Sequence, residues 1–377
     1  MKVVLLEVSG WGGMCHYTYN LCEKLSRLEI KVFHISKAAY ELDNLPRQFH
    51  LEKILRTDQN YFKKWYLIWR FLVREQVDIF HVQSLNTARK DFMAFFIMKL
   101  LPFKVVYTAH NVLPHDEKER RAFGMKFAFR WIYRLSDFVI THSEQDKNDI
   151  MDTFGVSPSR LKAIPHGDYD FCRMVSQESR PAVRKRYKIR DDEKLVLFFG
   201  ALQRYKGVHK LISALANVGR RELRMKLLIV GRLVDEKYFD ELESLIAEKD
   251  LSDRVILIGK YVPFEEIGDF FKAADIVALP YEHIYDSGVL RLAFSFAKPV
   301  IATRVGIFNQ LVVEGKNGFL VDDDTNSIAE VLVQVQQMKE DKLQAMGEYS
   351  THMFGEMLSW ERIAAETARI YQNLLGI

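Results

Sequence analysis

Short apolar runs alternate with longer amphipathic segments along the whole chain. In the first half these runs lie at residues 2–8, 31–35, 78–82, 104–108 and 137–141. In the second half they lie at residues 194–199, 225–230, 254–258, 275–279, 299–303 and 319–321. Such runs are typical of buried parallel strands, and the segments between them are typical of helices. The alternation predicts two α/β units, each built on a doubly wound parallel sheet.

The composition is typical of a soluble globular protein, because 48% of the residues are hydrophobic and 28% are charged. A chain of 377 residues exceeds one ordinary core, so two domains are expected. No run of about 18 apolar residues is present, and residues 2–8 are interpreted as a first strand rather than a signal peptide. The three cysteines lack metal-binding spacing, which favours a reducing cytoplasm and no metal site.

A segment rich in charged and turn-forming residues separates the two halves. It contains the basic run Arg184-Lys185-Arg186. A solvated helix face is favoured over a nucleic-acid patch, because no aromatic stacking platform accompanies this run, and no nucleic-acid partner is expected. We predict an N-terminal domain at 1–170 with a returning C-terminal helix at 359–377, a linker at 171–189 and a C-terminal domain at 190–358.

The first apolar run is followed by a glycine-rich turn and a helix. Gly10, Gly12 and Gly13 lack the G-x-G-x-x-G spacing of a dinucleotide site, and Lys37 follows the second strand where a ribose-binding carboxylate would stand. An NAD site is therefore not expected. Two interpretations of Gly12 and Gly13 remain open: close approach of a substrate to the backbone, or a tight turn alone.

Polar residues follow three strands of the first half. Gln83 follows the strand that contains His81, His110 follows the strand at 104–108, and His142 follows the strand at 137–141. In an open parallel sheet the ligand binds beyond the carboxyl ends of the strands, so these side chains are expected to lie together. A single histidine at a strand end is more often a hydrogen-bonded spacer. The three histidines His81, His110 and His142 at successive strand ends favour a functional site, above all at His110.

The segment at 279–306 combines a strand end, a polar loop and the start of a helix. Ser287 and Gly288 open this helix. The first turn of a helix carries unpaired N–H groups and the positive end of the helix dipole, so the loop is suited to a phosphate. The alternative, an ordinary strand–helix–strand connection with a glycine in its turn, stays open at this point.

Two predicted helices of the first half, at 61–71 and 118–134, mix aromatic residues with cations. This combination is typical of an interfacial helix at an anionic membrane surface. For either helix alone, an ordinary amphipathic helix with a buried aromatic face is favoured. The residues assigned to this acceptor or membrane side are Lys63, Lys64, Trp65, Arg120, Arg121, Lys126 and Arg130.

A series of short motifs follows in order along most of the chain. They are Thr108-Ala109-His110-Asn111, Ile164-Pro165-His166-Gly167, Phe198-Phe199-Gly200, Tyr205-Lys206-Gly207, AADIVALPY at 273–281, AKPVIAT at 297–303 and EGKNGFLV at 314–321. In this order and spacing the chain resembles the family 4 glycosyltransferases, which have the GT-B fold. The resemblance implies two facing Rossmann-like domains with a cleft between them.

The resemblance also implies transfer of a hexose from a UDP- or GDP-sugar, with retention at the anomeric carbon and without a metal. The expected acceptor is a glycan or a polyprenyl-linked glycan at the inner face of the plasma membrane. His110 and Lys206 match functional positions of the family, and Lys206 would hold the donor diphosphate. The other residues assigned to the donor are Gly12, Gly13, His166, Gly200, Arg204, Tyr261, Val262, Tyr281, Ser287, Gly288 and Val289.

The chain departs from the family at the E-x7-E pair. Ile284 and Leu292 stand where the two glutamates are usual, and Leu292 cannot bind ribose hydroxyls. Glu282 and Asp286, on either side of Ile284, are the candidates for the missing catalytic carboxylate. The sequence SGVL at 287–290 resembles a divergent branch that is associated with bacterial surface polysaccharides.

Two rival interpretations follow from these departures. Loss of both glutamates favours a non-catalytic glycosyltransferase-like subunit that binds a partner enzyme, whereas retention of Lys206, Ser287 and His110 favours an active enzyme. A GT-B sugar-nucleotide epimerase is disfavoured, because the motifs match the transferases better. An active retaining glycosyltransferase is the prediction from the sequence.

Overall fold

The computed structural model describes residues 1–85, 88–113, 124–169, 172, 177–218, 224–284, 286–355 and 358–377. The chain forms two compact units. The first comprises Met1–Gly167 and Met357–Ile377, and the second comprises Asp168–Glu356. Each unit contains its own parallel sheet.

The first unit has a sheet of strands β1 (Lys2–Leu6), β2 (Lys31–Lys37), β3 (His50–Leu55), β4 (Ile79–Val82), β5 (Lys104–Ala109), β6 (Phe138–Thr141) and β7 (Leu161–Ala163). These seven strands run in the order β3-β2-β1-β4-β5-β6-β7. The order reverses between β1 and β4, and ligands of such sheets bind beyond the strand ends at that point. The glycine-rich turn after β1 and the polar residues after β4 therefore occupy the favoured position for a ligand.

The helices that cover this sheet begin at side-chain caps in several places. Asn60, Ser143 and Ser359 each accept a hydrogen bond from the N–H three residues later, which pairs one of the free donors of the first turn. The described helices of this unit are Gly12–Ser26, Tyr61–Glu75, Ala88–Met98, Met125–Leu135, Glu144–Phe154 and Trp360–Leu375.

The second unit has a sheet of strands β8 (Lys194–Phe199), β9 (Met225–Val230), β10 (Val255–Ile258), β11 (Ile276–Leu279), β12 (Val300–Thr303) and β13 (Gly318–Val321). These six strands run in the order β10-β9-β8-β11-β12-β13, with the reversal between β8 and β11. The described helices are Arg180–Arg186, Val208–Asn217, Glu236–Glu248, Phe264–Ala273, Gly288–Ser295, Phe308–Leu311, Thr325–Gln337 and Glu340–Phe354.

The basic run of the predicted linker is only partly solvated. Lys185 and Arg186 are exposed, but Arg184 is 3% exposed and lies 3.4 Å from a carboxylate oxygen of Asp275. Asp275 also accepts a hydrogen bond from the Leu195 N–H at 2.6 Å. The prediction of a solvated face is therefore wrong for Arg184, which ties its helix to the sheet of the second unit.

The apolar runs located most of the sheet, but two strands went unpredicted. Every strand predicted above is present, with ends that agree within two residues. The unpredicted strands are β3 and β7, and the helices Ala88–Met98 and Glu144–Phe154 lie in segments between apolar runs for which no helix bounds were predicted. β3 lies at the sheet edge and contains Glu52 and Lys53, so it lacks a continuous apolar run. None of the helices in the described parts of the chain is long and apolar enough to span a membrane.

Candidate active site

The loop after β8 carries the lysine and two of the glycines in the motifs of the second half. Gly200 follows β8 with a φ of +119°, and Arg204–Lys206 forms one turn of 3-10 helix. A Cβ on Gly207 would lie 1.9 Å from the carbonyl oxygen of Pro280, which follows β11. Glycine at 207 therefore allows the ends of two neighbouring strands to approach each other closely.

Substitution of Gly207 tests this close approach. Gly207→Ala is expected to lower the free energy of unfolding by about 2–5 kcal/mol, because a left-handed backbone and a steric overlap with Pro280 both cost energy. Gly315→Ala is the matched control, because Gly315 has a φ of +70° but no described atom lies within 4 Å of a Cβ there. The control should cost only about 1–2 kcal/mol in urea unfolding. Equal losses in the two variants would contradict the importance of the contact.

Lys206 is the centre of the candidate site in the second unit. If Gly200 carried a Cβ, that atom would lie 3.2 Å from the Lys206 ammonium nitrogen and 3.5 Å from the side chain of Val289. Both side chains therefore lie close to Gly200. The ammonium also lies 5.4 Å from the ring centroid of Tyr281. Four residues that the sequence assigned to the donor are thus brought together. Burial alone lowers the pKa of Lys206 to about 8, and no carboxylate in the described part of the chain pairs with it.

The start of the helix Gly288–Ser295 lies beside this lysine. Ser287 begins the helix by accepting a hydrogen bond from the Leu290 N–H at 3.2 Å. The N–H groups of Gly288 and Val289 belong to the first turn, where helix geometry supplies no intrahelical acceptor. The ammonium group and the positive end of the helix dipole therefore lie within one small region, which suits it to a phosphate group.

Both candidate catalytic carboxylates are paired with cations. Asp286 pairs with Arg291, a side chain that is 1% exposed. Glu282 lies 3.0 Å from Lys210, and Lys210 also lies 2.7 Å from Asp323. The structure therefore gives Asp286 a structural partner within its own loop, and it gives Glu282 a place in a three-residue ion-pair cluster.

Arg204 does not join Lys206. Its guanidinium pairs with Glu241 and lies 5.1 Å from the ring centroid of Tyr238, both on the helix Glu236–Glu248. The side chain is exposed to solvent. Arg204 was predicted to bind the donor, but its guanidinium contacts a neighbouring helix.

The remaining assignments of the second unit differ in exposure. Tyr261 is 40% exposed, whereas Val262 is 4% exposed and Tyr281 is 1% exposed. Leu292, at the position of a family glutamate, is 6% exposed and is therefore part of the apolar core. Tyr169 was not predicted to belong to the site. If Gly288 carried a Cβ, that atom would lie 2.8 Å from the Tyr169 hydroxyl, so this hydroxyl lies close to the start of the helix Gly288–Ser295.

In the first unit, Glu7 organises the glycine-rich turn. Its carboxylate is fully buried and accepts hydrogen bonds from the Gly10 N–H at 2.9 Å and the Ser36 hydroxyl at 3.1 Å. The Gly12 N–H donates to Glu41 at 2.6 Å. Because Gly12 has a φ of +73°, the tight turn by itself requires glycine at this position. Gly13 follows it as the second residue of the helix Gly12–Ser26.

The predicted polar cluster of the first unit is a chain of hydrogen bonds. His110 Nδ1 lies 2.9 Å from His142 Nε2, and His110 Nε2 lies 3.1 Å from the terminal amide of Gln83. The same amide lies 3.1 Å from His81 Nε2, and His81 Nδ1 lies 2.5 Å from the Tyr371 hydroxyl. Burial lowers the pKa of His81 to about 3 and holds the pKa of His110 well below its usual value. Both imidazoles are therefore neutral at pH 7.

The tautomers of these histidines follow from the carbonyl group at one end of the hydrogen-bond network. His142 Nδ1 donates to the Ile164 carbonyl oxygen at 3.0 Å, so His142 Nε2 accepts a hydrogen bond from His110 Nδ1. A neutral His110 then has only an acceptor at Nε2, and Gln83 must turn its NH2 group toward it. Both ring nitrogens of His110 are thus occupied within the protein.

His166 lies beside this network. Its Nδ1 lies 2.8 Å from the Gly167 carbonyl oxygen, and its ring centroid lies 4.9 Å from that of Tyr17. The Tyr17 ring lies 4.7 Å from His110 as well. Among the described residues no group of three or more His, Cys, Asp and Glu side chains is arranged to hold a metal ion.

The residues assigned to the acceptor or membrane side are partly buried. Lys64 is 7% exposed and Trp65 is 8% exposed. Lys63, Lys126 and Arg130 are exposed. Arg120 and Arg121 lie outside the described residues.

Sequence comparison assigns both units to glycosyltransferases. The model for Glycosyl transferases group 1 matches residues 179–353, and the model for Glycosyltransferase Family 4 matches residues 11–167. The D-inositol 3-phosphate glycosyltransferase of Corynebacterium urealyticum is 28% identical over 269 residues, which cover 69% of this chain and 61% of that protein. The protein of the same name from Xylanimonas cellulosilytica is 26% identical over 362 residues, which cover 91% of this chain and 81% of that protein.

Solved structures share the whole architecture. Sucrose-phosphate synthase from Thermosynechococcus elongatus matches with a TM-score of 0.80 at 20% identity, covering 100% of this chain and 99% of that one. HepE of Anabaena in complex with UDP-glucose matches with a TM-score of 0.78 at 20% identity, covering 99% of this chain and 100% of that one. Two parallel-sheet units with these structural neighbours define the GT-B fold. The chain is thus a glycosyltransferase, in which the first unit matches the Family 4 model and the second unit matches the group 1 model.

Proposed function

We propose that this protein transfers a hexose from a UDP- or GDP-sugar to a glycan or polyprenyl-linked glycan, with retention at the anomeric carbon. The observation that carries the proposal is Lys206, a half-buried ammonium group beside the N-terminus of Gly288–Ser295 and without a carboxylate partner in the described chain. A partly buried cation without a counter-ion favours an anionic ligand. The diphosphate of a nucleotide sugar has the required charge.

The proposed mechanism relies on electrostatic stabilisation of the leaving group. As the bond between the anomeric carbon and the diphosphate breaks, negative charge grows on the departing phosphate. The Lys206 ammonium and the first N–H groups of the helix Gly288–Ser295 would stabilise that charge without a metal. His110 would act through its backbone carbonyl, in keeping with the family resemblance, because both of its ring nitrogens are engaged.

The carboxylates support a mechanism without an enzymic nucleophile. Asp286 and Glu282 are ion-paired with Arg291 and Lys210, and a paired carboxylate is a weaker nucleophile toward the anomeric carbon than a free one. Retention would then arise when the acceptor attacks the face from which the diphosphate leaves. Loss of the ribose-binding glutamate, at Leu292, leaves the nucleoside to be held by other residues of the second unit.

The acceptor is proposed to be amphiphilic. Exposed Lys63, Lys126 and Arg130 lie on helices that also expose aromatic rings, which supports peripheral contact with an anionic membrane. The SGVL loop supports a role in the synthesis of bacterial surface polysaccharides at the inner face of the plasma membrane.

A nucleotide panel tests the proposed donor. UDP, GDP and ADP, followed by the sugar esters of the best of them, should be compared by thermal shift. A nucleotide that binds only the folded protein stabilises it by about 2.7 kcal/mol at 100 times its Kd, so either UDP or GDP should raise the Tm clearly. ADP serves as the control for a nonspecific diphosphate effect. The absence of any shift with all three would contradict a nucleotide-sugar donor.

A non-catalytic subunit is the second candidate function. The observation that favours it is the pairing of Asp286 with a fully buried Arg291, which gives that carboxylate a purely structural partner. This candidate predicts that Lys206→Ala leaves nucleotide binding unchanged. The glycosyltransferase predicts a large loss.

A further inference from the structure

An open apolar groove runs between the helices Tyr61–Glu75 and Ala88–Met98 of the first unit. Its volume is about 920 Å³, within the range that holds a small-molecule ligand. Trp65 and Trp69 line it from the first helix, and Phe96 and Ile97 line it from the second. The two helices are joined at the groove, because the Trp65 indole N–H donates to Asp91 at 3.0 Å.

The groove exposes far more apolar surface than its two helices need for packing. Phe62 is 82% exposed, Met93 is 61% exposed, Ile97 is 58% exposed and Tyr66 is 54% exposed, and all four line the groove. A contiguous exposed patch of large apolar side chains is uncommon on a soluble protein and marks a surface that binds something. The apolar residues of the second helix do not lie on one face, because Phe95 is buried whereas Met93 and Ile97 are exposed.

A buried cation lies against one wall of the groove. Lys64 is 7% exposed, and its ammonium has no hydrogen-bond partner among the described residues. The ammonium lies 5.5 Å from the ring centroid of Trp65, which lines the groove. Arg89 and Lys90 are the two cations in the lining itself. Burial lowers the pKa of Lys64 and the nearby Asp91 carboxylate acts in the opposite direction, but no described residue accepts a hydrogen bond from the ammonium. An anionic group of a ligand would offset the remaining cost of burial.

We propose that this groove binds the apolar chain of a phosphate-bearing lipid, with the phosphate held by Lys64 and Lys90. The inference rests on the proposed function, because it identifies the lipid-linked acceptor class as a prenyl or acyl phosphate derivative. A lipid phosphate is favoured over a second copy of the chain as the occupant, since two copies of the same basic groove would repel each other. The groove thus supplies both parts of an amphiphile site, an apolar channel and cations beside it.

Direct binding of farnesyl phosphate tests the groove without vesicles and without donor. The protein should be titrated below the micellar concentration of the lipid, and tryptophan fluorescence should change saturably because Trp65 and Trp69 line the groove. Ile97→Glu should weaken binding at least about tenfold, because it places a charge in an apolar site. Leu100→Glu is the matched control: Leu100 is 86% exposed just beyond the same helix but does not line the groove, so binding should be unchanged.

A second variant tests the phosphate half of the site. Lys64→Met should reduce the preference for farnesyl phosphate over farnesol while leaving farnesol binding intact, because one of the two charged contacts is removed and Lys90 remains. A nucleotide thermal shift on each variant checks that the protein is folded, and it separates this proposal from the donor proposal. Absence of saturable binding would overturn the inference. So would equal losses in Ile97→Glu and Leu100→Glu, since these indicate general adsorption to a lipid surface, and so would concentration-dependent dimers that Ile97→Glu disrupts.

Discussion

Replacement of Lys206 by alanine is expected to weaken the binding of UDP or GDP by about 10- to 150-fold, because a hydrogen bond to a charged group contributes about 1.5–3 kcal/mol. The loss should be this large because Lys206 has no carboxylate partner in the described chain to share its charge. Titration calorimetry with the purified variant measures the change. Lys210→Ala is the matched control. Its ammonium is already paired with Glu282 and Asp323, so affinity should fall less than about threefold.

The same lysine predicts a pH dependence of nucleotide binding. Burial lowers the pKa of Lys206 to about 8, so the free protein carries the ammonium below that pH and loses it as the pH rises through that value. Nucleotide affinity should therefore decrease by about tenfold per pH unit above about pH 8. The Lys206→Met variant should show a flat profile over the same range. A wild-type profile as flat as that of the variant would contradict the role of Lys206 as a phosphate ligand.

The second large effect is expected at the pair of Asp286 and Arg291. Arg291→Met should lower the free energy of unfolding by about 3–5 kcal/mol, because it leaves an uncompensated carboxylate in a buried position. The side chain of Arg291 is 1% exposed and that of Asp286 is 10% exposed, so water cannot replace the lost partner. Urea unfolding of the variant measures the loss.

The double variant identifies the cause of that loss. Asp286→Asn combined with Arg291→Met removes both charges, and asparagine retains an acceptor for the Ser287 N–H, which donates to Asp286 at 2.8 Å. Most of the lost stability should return, because the cost comes from the unpaired charge rather than from the missing contact. If the double variant is as unstable as the single one, the loss has to come from packing around Arg291.

Hydrophobic patterning was sufficient for most of the sheet and failed where burial was incomplete. The strands β8 and β9 are nearly wholly buried, so each is a continuous apolar run that the sequence shows directly. β3 is an edge strand whose residues are mostly exposed or half-buried. Its sequence contains charged residues and no continuous apolar run, so it resembles a loop. The bounds of the helix Ala88–Met98 could not be predicted for the opposite reason: Met93 and Ile97 are apolar and yet exposed, so no single apolar face marks the helix.

Motif order predicted a site whose residues Gly200, Lys206 and Val289 lie close together in the structure, but it did not predict the directions of the long side chains. Gly200 directly follows β8, Lys206 ends the 3-10 turn in the same loop, and Val289 lies in the first turn of its helix, so all three lie near strand or helix ends. Arg204 could not be placed in the same way, since Glu241 lies 37 residues later and decides the direction of the guanidinium. Arg291 lies in an apolar helix sequence, and only the fold reveals that Asp286 neutralises it.

The hydrogen-bond chain at His110 has a consequence for the order of events during synthesis. Its terminal member, Tyr371, belongs to Trp360–Leu375 and is separated from His81 by 290 residues. All of Asp168–Glu356 leaves the ribosome between these two partners, and domains generally fold in the order of their synthesis. The histidines of the first unit therefore acquire their final partner only after the second unit has been made. In a nascent chain the loop that contains Lys206 would then be complete before the His110 network is complete.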